Sequence, residues 1–211
     1  GIGLLFGILR LINFAHGDFI TVGAYALIVP STDAVARMFV GDFNVVALTL
    51  TVVAVVVVLA LASDRILFRH LRRANPASLM IASFSFGYVI QNLLLMIYGG
   101  RPKAVGLWSQ LNATIEIGAL RVPLLQLIII GVTLLLLLGL TLFMNYTRYG
   151  IQMRAASEDF VMARYLGIRA DFVIGIAFAI SGSLAALVSL LFVTQTGVLS
   201  PQLGMSVMIF A

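Results

Sequence analysis

Four stretches of this chain, residues 43–63, 74–100, 122–147 and 172–211, contain no Asp, Glu, Lys or Arg. Each is longer than the roughly 20 residues that a helix needs to cross a hydrocarbon core about 30 Å thick. The other spanning architecture, a β-barrel, is built from segments of about 10 residues that alternate in polarity. Val45–Leu61 and Leu134–Leu140 do not alternate. Charged residues make up 10% of the chain, against about 25% in soluble domains. The fold class is therefore all-α, a polytopic transmembrane helical bundle.

The basic residues set its orientation. Residues 64–73 carry Arg65, Arg69, Arg72 and Arg73, and residues 148–171 carry Arg148, Arg154, Arg164 and Arg169. With these segments and Arg10 in the cytoplasm, nine basic residues lie inside and four outside, as the positive-inside rule requires. The spans then alternate without adjustment: about 17–36, 43–63, 76–98, 122–147 and 172–193. Partial helices at 1–12 and 202–211 lie at the two ends, and the natural protein is expected to carry further helices on each side. The chain forms one transmembrane domain over 1–211, with a cytoplasmic loop at 148–171. The net charge of +5 is explained by topology and needs no nucleic-acid partner. Small residues at four-residue spacing, Ser83/Gly87, Gly175/Ala179/Ser183 and Gly182/Ala186, suit close helix packing.

Residues 10–25 stand out from this background. Asn13, His16 and Asp18 fall within six residues, flanked by apolar sequence. Polar and ionisable groups at bilayer depth are costly, so such a cluster marks a functional site by default. A water-exposed turn between two helices is the alternative. The following span is interrupted by Pro30, either as a kink within a substrate pathway or as the simple end of a helix. Gln91 and Asn92 lie mid-span in 76–98, where they line a pathway or join helices. Gln195 and Thr196 are candidate outer contacts.

The loop 148–171 contains its own helix signals. Ser157 is a candidate N-cap, with Glu158 and Asp159 placed to meet the positive end of the helix dipole. Ala163 and Leu166 continue the helix, and Gly167 supplies a left-handed C′ position. A helix this short needs a surface to pack on. That surface is either the membrane, through Arg154, Arg164 and Arg169, or a soluble cytoplasmic subunit.

Several chemistries lack their residues. The chain has no cysteine and two histidines, without an H-E-x-x-H pair, so no metal site is expected. It has no G-x-x-x-x-G-K-[ST], and Lys103 is its only lysine, so no nucleotide is expected to bind here. A serine hydrolase is disfavoured because no histidine follows His70 to serve Ser181. No catalytic residue is assigned. An ion-coupled secondary transporter would need carboxylates within its spans, and the four charge-free windows have none.

Leu11-Ile-Asn13-Phe-Ala-His16-Gly17-Asp18, followed by Gly23-Ala24-Tyr25, resembles the signature of branched-chain amino acid ABC transporter permeases. The urea and short-chain amide permeases are closely similar. Arg148-Tyr-Gly150 through Ala155-Ala156-Ser157-Glu158-Asp159, continued by Met162-Ala163-Arg164 and Leu166-Gly167-Ile168, resembles that family's cytoplasmic coupling loop. The resemblance implies the high-affinity permease of the bacterial inner membrane, without the family's terminal helices. It implies import of branched-chain amino acids, or alternatively of urea or amides. The implied partners are two cytoplasmic ATPase subunits that bind the ATP, a second permease subunit and a periplasmic solute-binding protein. Asn13, His16, Asp18, Gln91 and Asn92 would then line the pathway or its gate. Ser157, Glu158, Asp159, Ala163, Leu166 and Gly167 would couple to the ATPases.

Overall fold

The computed structural model describes residues 3, 13–31, 35–37, 44–71, 75–107, 114–117 and 120–209. The partial helix expected over 1–12, together with Arg10, Arg72 and Arg73, lies outside the described residues apart from Gly3. Helices run over α1 (Ala15–Tyr25), α2 (Val45–Ser63), α3 (Pro76–Tyr98), α4 (Leu124–Tyr146), α5 (Arg148–Glu158), α6 (Phe160–Tyr165), α7 (Ala170–Thr196) and α8 (Leu203–Ile209). α2 continues through a π-turn, Asp64–Phe68, into a last α-turn at Arg69–Leu71. Four short strands lie between them: β1 (Lys103–Ala104), β2 (Thr114–Ile117), β3 (Leu120–Pro123) and β4 (Val198–Leu199). By length and composition, Val45–Leu71, Ala77–Tyr98, Leu124–Tyr146 and Asp171–Thr196 can each cross a membrane.

Medium overrides propensity in these helices. α2 is rich in valine, which favours strands in water. In hydrocarbon each backbone N–H needs a partner within its own segment, and a helix provides one. Thr49, Thr51, Thr133 and Thr141 obey the same constraint. Each hydroxyl donates to the carbonyl four residues earlier, at 2.7–2.8 Å, so none presents a bare O–H to lipid. Pro76 opens α3, where its missing N–H is not needed. Gly99 and Gly197, at φ 80° and 65°, end α3 and α7 in the left-handed region.

α7 is the axis of the bundle and packs on α2 and α1. Gly182 lies against the α2 backbone, where an added Cβ would fall 2.9 Å from Ala60 Cβ and 3.3 Å from Val56 O. This expected small-residue face closes a helix pair, whereas a Cβ on Gly175, in another of them, would meet nothing within 4 Å. At one end Phe68, Leu79, Met153, Val173, Ile174, Ala177 and Phe178 form a second core. That core, and an Arg69–Asp171 ion pair at 3.7 Å, place both arginine-rich segments at the same end of the bundle. The opposite end is woven from backbone. β1 pairs antiparallel with β4, Val35 bridges Ala104, and Val29 N–H donates to Arg37 O. Beneath this weave Lys103 is buried, its ammonium group donating to the Ser31 carbonyl.

The span expected at 17–36 is not a full span. α1 ends at Tyr25, and Pro30 lies in non-helical chain beyond it, so the proline neither kinks nor terminates the helix. Phe14 N–H donates to Ser83 Oγ at 3.3 Å, and the Tyr25 and Tyr98 rings meet at 4.9 Å. α1 thus lies beside the latter part of α3, starting seven residues into it, about 10 Å from that helix's first turn. At 11 residues, α1 is about 16 Å long, roughly half of a crossing.

Candidate functional site

The half-length of α1 settles where its polar residues sit. His16 reaches Ser181, eleven residues into α7, at 3.1 Å between Nδ1 and Oγ; the donor of this hydrogen bond follows the imidazole tautomer. That level is about 16 Å along α7, close to mid-crossing. The cluster therefore lies level with the middle of α7, a helix long and apolar enough to cross a membrane.

Asn13 begins the helix. Its side-chain oxygen accepts from Ala15 N–H at 3.1 Å and its carbonyl from His16 N–H at 3.2 Å, so it takes the role of a local cap. Its Nδ2 is buried without a partner among the described residues. Asp18 is 5% exposed and accepts from Gln91 Nε2 at 2.8 Å. Its second oxygen lies over Gly87, where a Cβ would collide with it. Ser83 and Gly87, read as a packing face, are thus the α3 positions that receive the start of α1. Asn92 does not join the cluster: its amide donates to Tyr88 O of its own helix at 2.7 Å.

A cavity of about 280 Å³ opens beside Asp18, lined by Phe14, Gly17, Phe84, Tyr88, Gln91 and Met205. Asp18 and Gln91 are its polar members apart from the Tyr88 phenol. Along the α8 border of the cavity, Thr21 Oγ1 accepts from Gly204 N–H at 2.9 Å, tying α8 to α1. Gly17 and Gly204 make this crossing close enough that backbone meets backbone.

The absence of a histidine after His70 gave Ser181 no base in the sequence. The fold supplies one, His16, because helices 165 residues apart in sequence pack together. The pair is sealed, with Ser181 fully buried and His16 4% exposed, and neither residue lines the cavity. It is a helix-to-helix tie. Ser181→Ala is expected to cost about 0.6 kcal/mol, and no more than about 1.7, of stability. Thermal unfolding in detergent checks this, and uptake should persist.

The 148–171 segment forms two helices before α7, not one. α5 runs through Ser157, whose hydroxyl donates to Arg154 O at 2.7 Å, so Ser157 is not an N-cap. The break falls at Asp159, whose carboxylate accepts from Met162 N–H at 3.0 Å and caps α6. Thr147 caps α5, accepting from Gly150 N–H at 3.0 Å. Glu158 lies in the last turn of α5 and is exposed. Gly167, at φ 81°, does end α6. Its N–H donates to Arg164 O and that of Ile168 to Ala163 O, both at 3.0 Å, which is a Schellman closure. Ala163 is buried, while Met162, Tyr165 and Leu166 project, Leu166 being 79% exposed.

Residues 1–211 match the family described as branched-chain amino acid transport system / permease component. The chain belongs to that family. It is similar to the high-affinity branched-chain amino acid transport system permease protein LivH of Escherichia coli K12, at 31% identity over 222 residues. It is similar to BraD of Pseudomonas aeruginosa, of the same description, at 29% over 209 residues. In each case 97% of this chain and 68% of the relative are covered. The autoinducer 2 import system permease LsrC of Yersinia pseudotuberculosis is 29% identical over 116 residues, 54% of this chain and 31% of the relative. No solved structure matches the chain.

This permease is a multi-pass protein of the bacterial inner membrane, and its family is one of transporters. Four of its site-forming residues were not visible as such in its sequence: Ser83, Ser181, Thr21 and Gly204. Ser83 did sit within a small-residue pattern and Ser181 was weighed only as a nucleophile, but only packing distinguishes a polar partner from a spacer. Thr21 and Gly204 carried no signal.

Proposed function

We propose that this chain is a membrane-spanning permease subunit of an ATP-driven importer that carries branched-chain amino acids inward. A solute-binding protein delivers the solute at the woven end, and a second permease subunit completes the pathway. Two ATPase subunits, which bind the ATP, grip the α5–α6 knob. The observation that carries this reading is the half-length α1, which holds Asn13, His16 and Asp18 at mid-crossing. Interrupted helices of this kind mark solute pathways in transporters, because a lone polar group is tolerated there only beside a cavity or a partner.

Asn13 and His16 brace the pathway in this reading. Asp18 and Gln91 face it, and Asn92 stands outside it. Among the coupling residues, Asp159, Ala163 and Gly167 shape the knob, while Glu158 and Leu166 are exposed for contact. Ser157 closes the end of α5.

The test is co-reconstitution of the full-length permease with its ATPases and binding protein in liposomes. ATP-dependent accumulation of leucine, isoleucine and valine is the expected result. Accumulation of urea or short amides instead would assign the other solute class. Uptake driven by an ion gradient without ATPases would overturn the importer reading.

A further inference from the structure

We propose that the cavity between α1, α3 and α8 is a transient binding station for a zwitterionic apolar amino acid, with the Asp18 carboxylate receiving the solute's α-ammonium group. This rests on the importer reading above.

Three observations lead here. Asp18 is nearly fully buried at membrane depth, yet its partner is an amide, and it forms no ion pair among the described residues. An amide–amide contact would join α1 to α3 at lower cost, since a buried carboxylate without a counter-charge is among the costliest groups to keep. Its negative charge is what an amide could not supply. The carboxylate also borders empty space rather than packed side chain. Its second oxygen packs over Gly87 of α3, and the residue also lines the cavity of about 280 Å³. That volume is at the small end for ligand sites, suited to a small solute.

The remaining walls match the rest of such a solute. Phe14, Phe84, Tyr88 and Met205 offer apolar surface for an aliphatic side chain. Gln91 donates one N–H to Asp18 and has a second to offer a solute carboxylate. Phe84, Tyr88 and Met205 are exposed on this chain, so the cavity is entered from the flank of the bundle. A neutral solute such as urea would leave the carboxylate uncompensated.

The test uses the chain's lack of cysteine. In the purified full-length permease, with no other cysteine present, Met205→Cys is labelled with a maleimide in the presence of three probes. These are leucine, 3-methylbutylamine, which keeps the ammonium, and 4-methylpentanoate, which keeps only the carboxylate. Leucine and the amine are expected to slow labelling, and the acid is not. Asp18→Asn should weaken leucine protection by about tenfold, the worth of a hydrogen bond to a charged group, and Asp18→Glu should retain most of it. Equal protection by all three probes, protection by none, or undiminished protection in a folded Asp18→Asn protein would each overturn the station. The probe series needs no change at Asp18, so it decides the matter even if that variant misfolds. Labelling requires neither ATP nor transport. A permease that imports leucine but shows no protection refutes the station alone; one that shows protection but imports no leucine refutes the importer reading.

Discussion

Gly204→Ala is expected to reduce uptake to background and to destabilise the permease by at least about 1–3 kcal/mol, the usual penalty for overpacking. A methyl group at this position would overlap the Gly17 carbonyl and press on Thr21 Oγ1. The nearer obstacle, the Gly17 carbonyl, is backbone of α1 itself, so no side-chain rotation can relieve the overlap. The Gly204 N–H bond to Thr21 would be lost as α8 backs away, and the Met205 wall of the cavity would move with it. Gly131→Ala, in α4 where nothing lies within 4 Å of the new methyl, should leave both stability and uptake unchanged. Melting in detergent and uptake in liposomes measure the pair. Normal behaviour of Gly204→Ala would mean that α1 and α8 do not cross as described.

The second large effect is expected at the knob. Leu166→Asp, combined with Tyr165→Ser, should leave the permease inserted and folded while leucine uptake falls by about thirtyfold or more, the consequence of losing a central interface anchor worth about 2 kcal/mol or more. Tyr165 and Leu166 are 82% and 79% exposed, so the bundle loses little by their removal. Asp159→Ala acts differently: it removes the cap that fixes where α6 begins, costing about 1 kcal/mol locally. It should give a partial loss that Asp159→Asn or Asp159→Ser restores. Association of the detergent-solubilised permease with its ATPases is the direct measurement. Unaltered association and uptake in the Tyr165/Leu166 variant would remove the knob from the coupling path.

The long helices were legible because hydrocarbon imposes one strong rule, and windows without charge report it directly. α3 begins at Pro76 as read, and α4 begins one residue after Pro123. Two other features did not follow from composition. α1 stops at Tyr25 although apolar residues continue to Val29, because the chain there turns into backbone pairing with β1's neighbourhood, a non-local contact with no local signature. Ser157 and Asp159 compete as caps, and both satisfy the local pattern. The choice falls to Asp159 because α5 is held from its other end by Thr147 and by Arg154 donating to Asn145, which carries it through Ser157. The polar cluster was half legible. Asn13, His16 and Asp18 were recognisable as misplaced in apolar sequence, but the side chains that reach His16 and Asp18 from other helices are an ordinary serine and a glutamine. Only the parallel alignment of α1 with α3 and α7 distinguishes Gln91 from its neighbour Asn92.

The buried position of Lys103 has a practical consequence for anyone mapping the assembly. It is the only lysine in these 211 residues, and 2% of its surface is accessible. Amine-reactive cross-linkers will therefore pass over these residues, and a silent result with them says nothing about which neighbours this region touches. Carboxylate-directed or photoreactive reagents, or cysteines introduced one at a time, are the tools its surface admits.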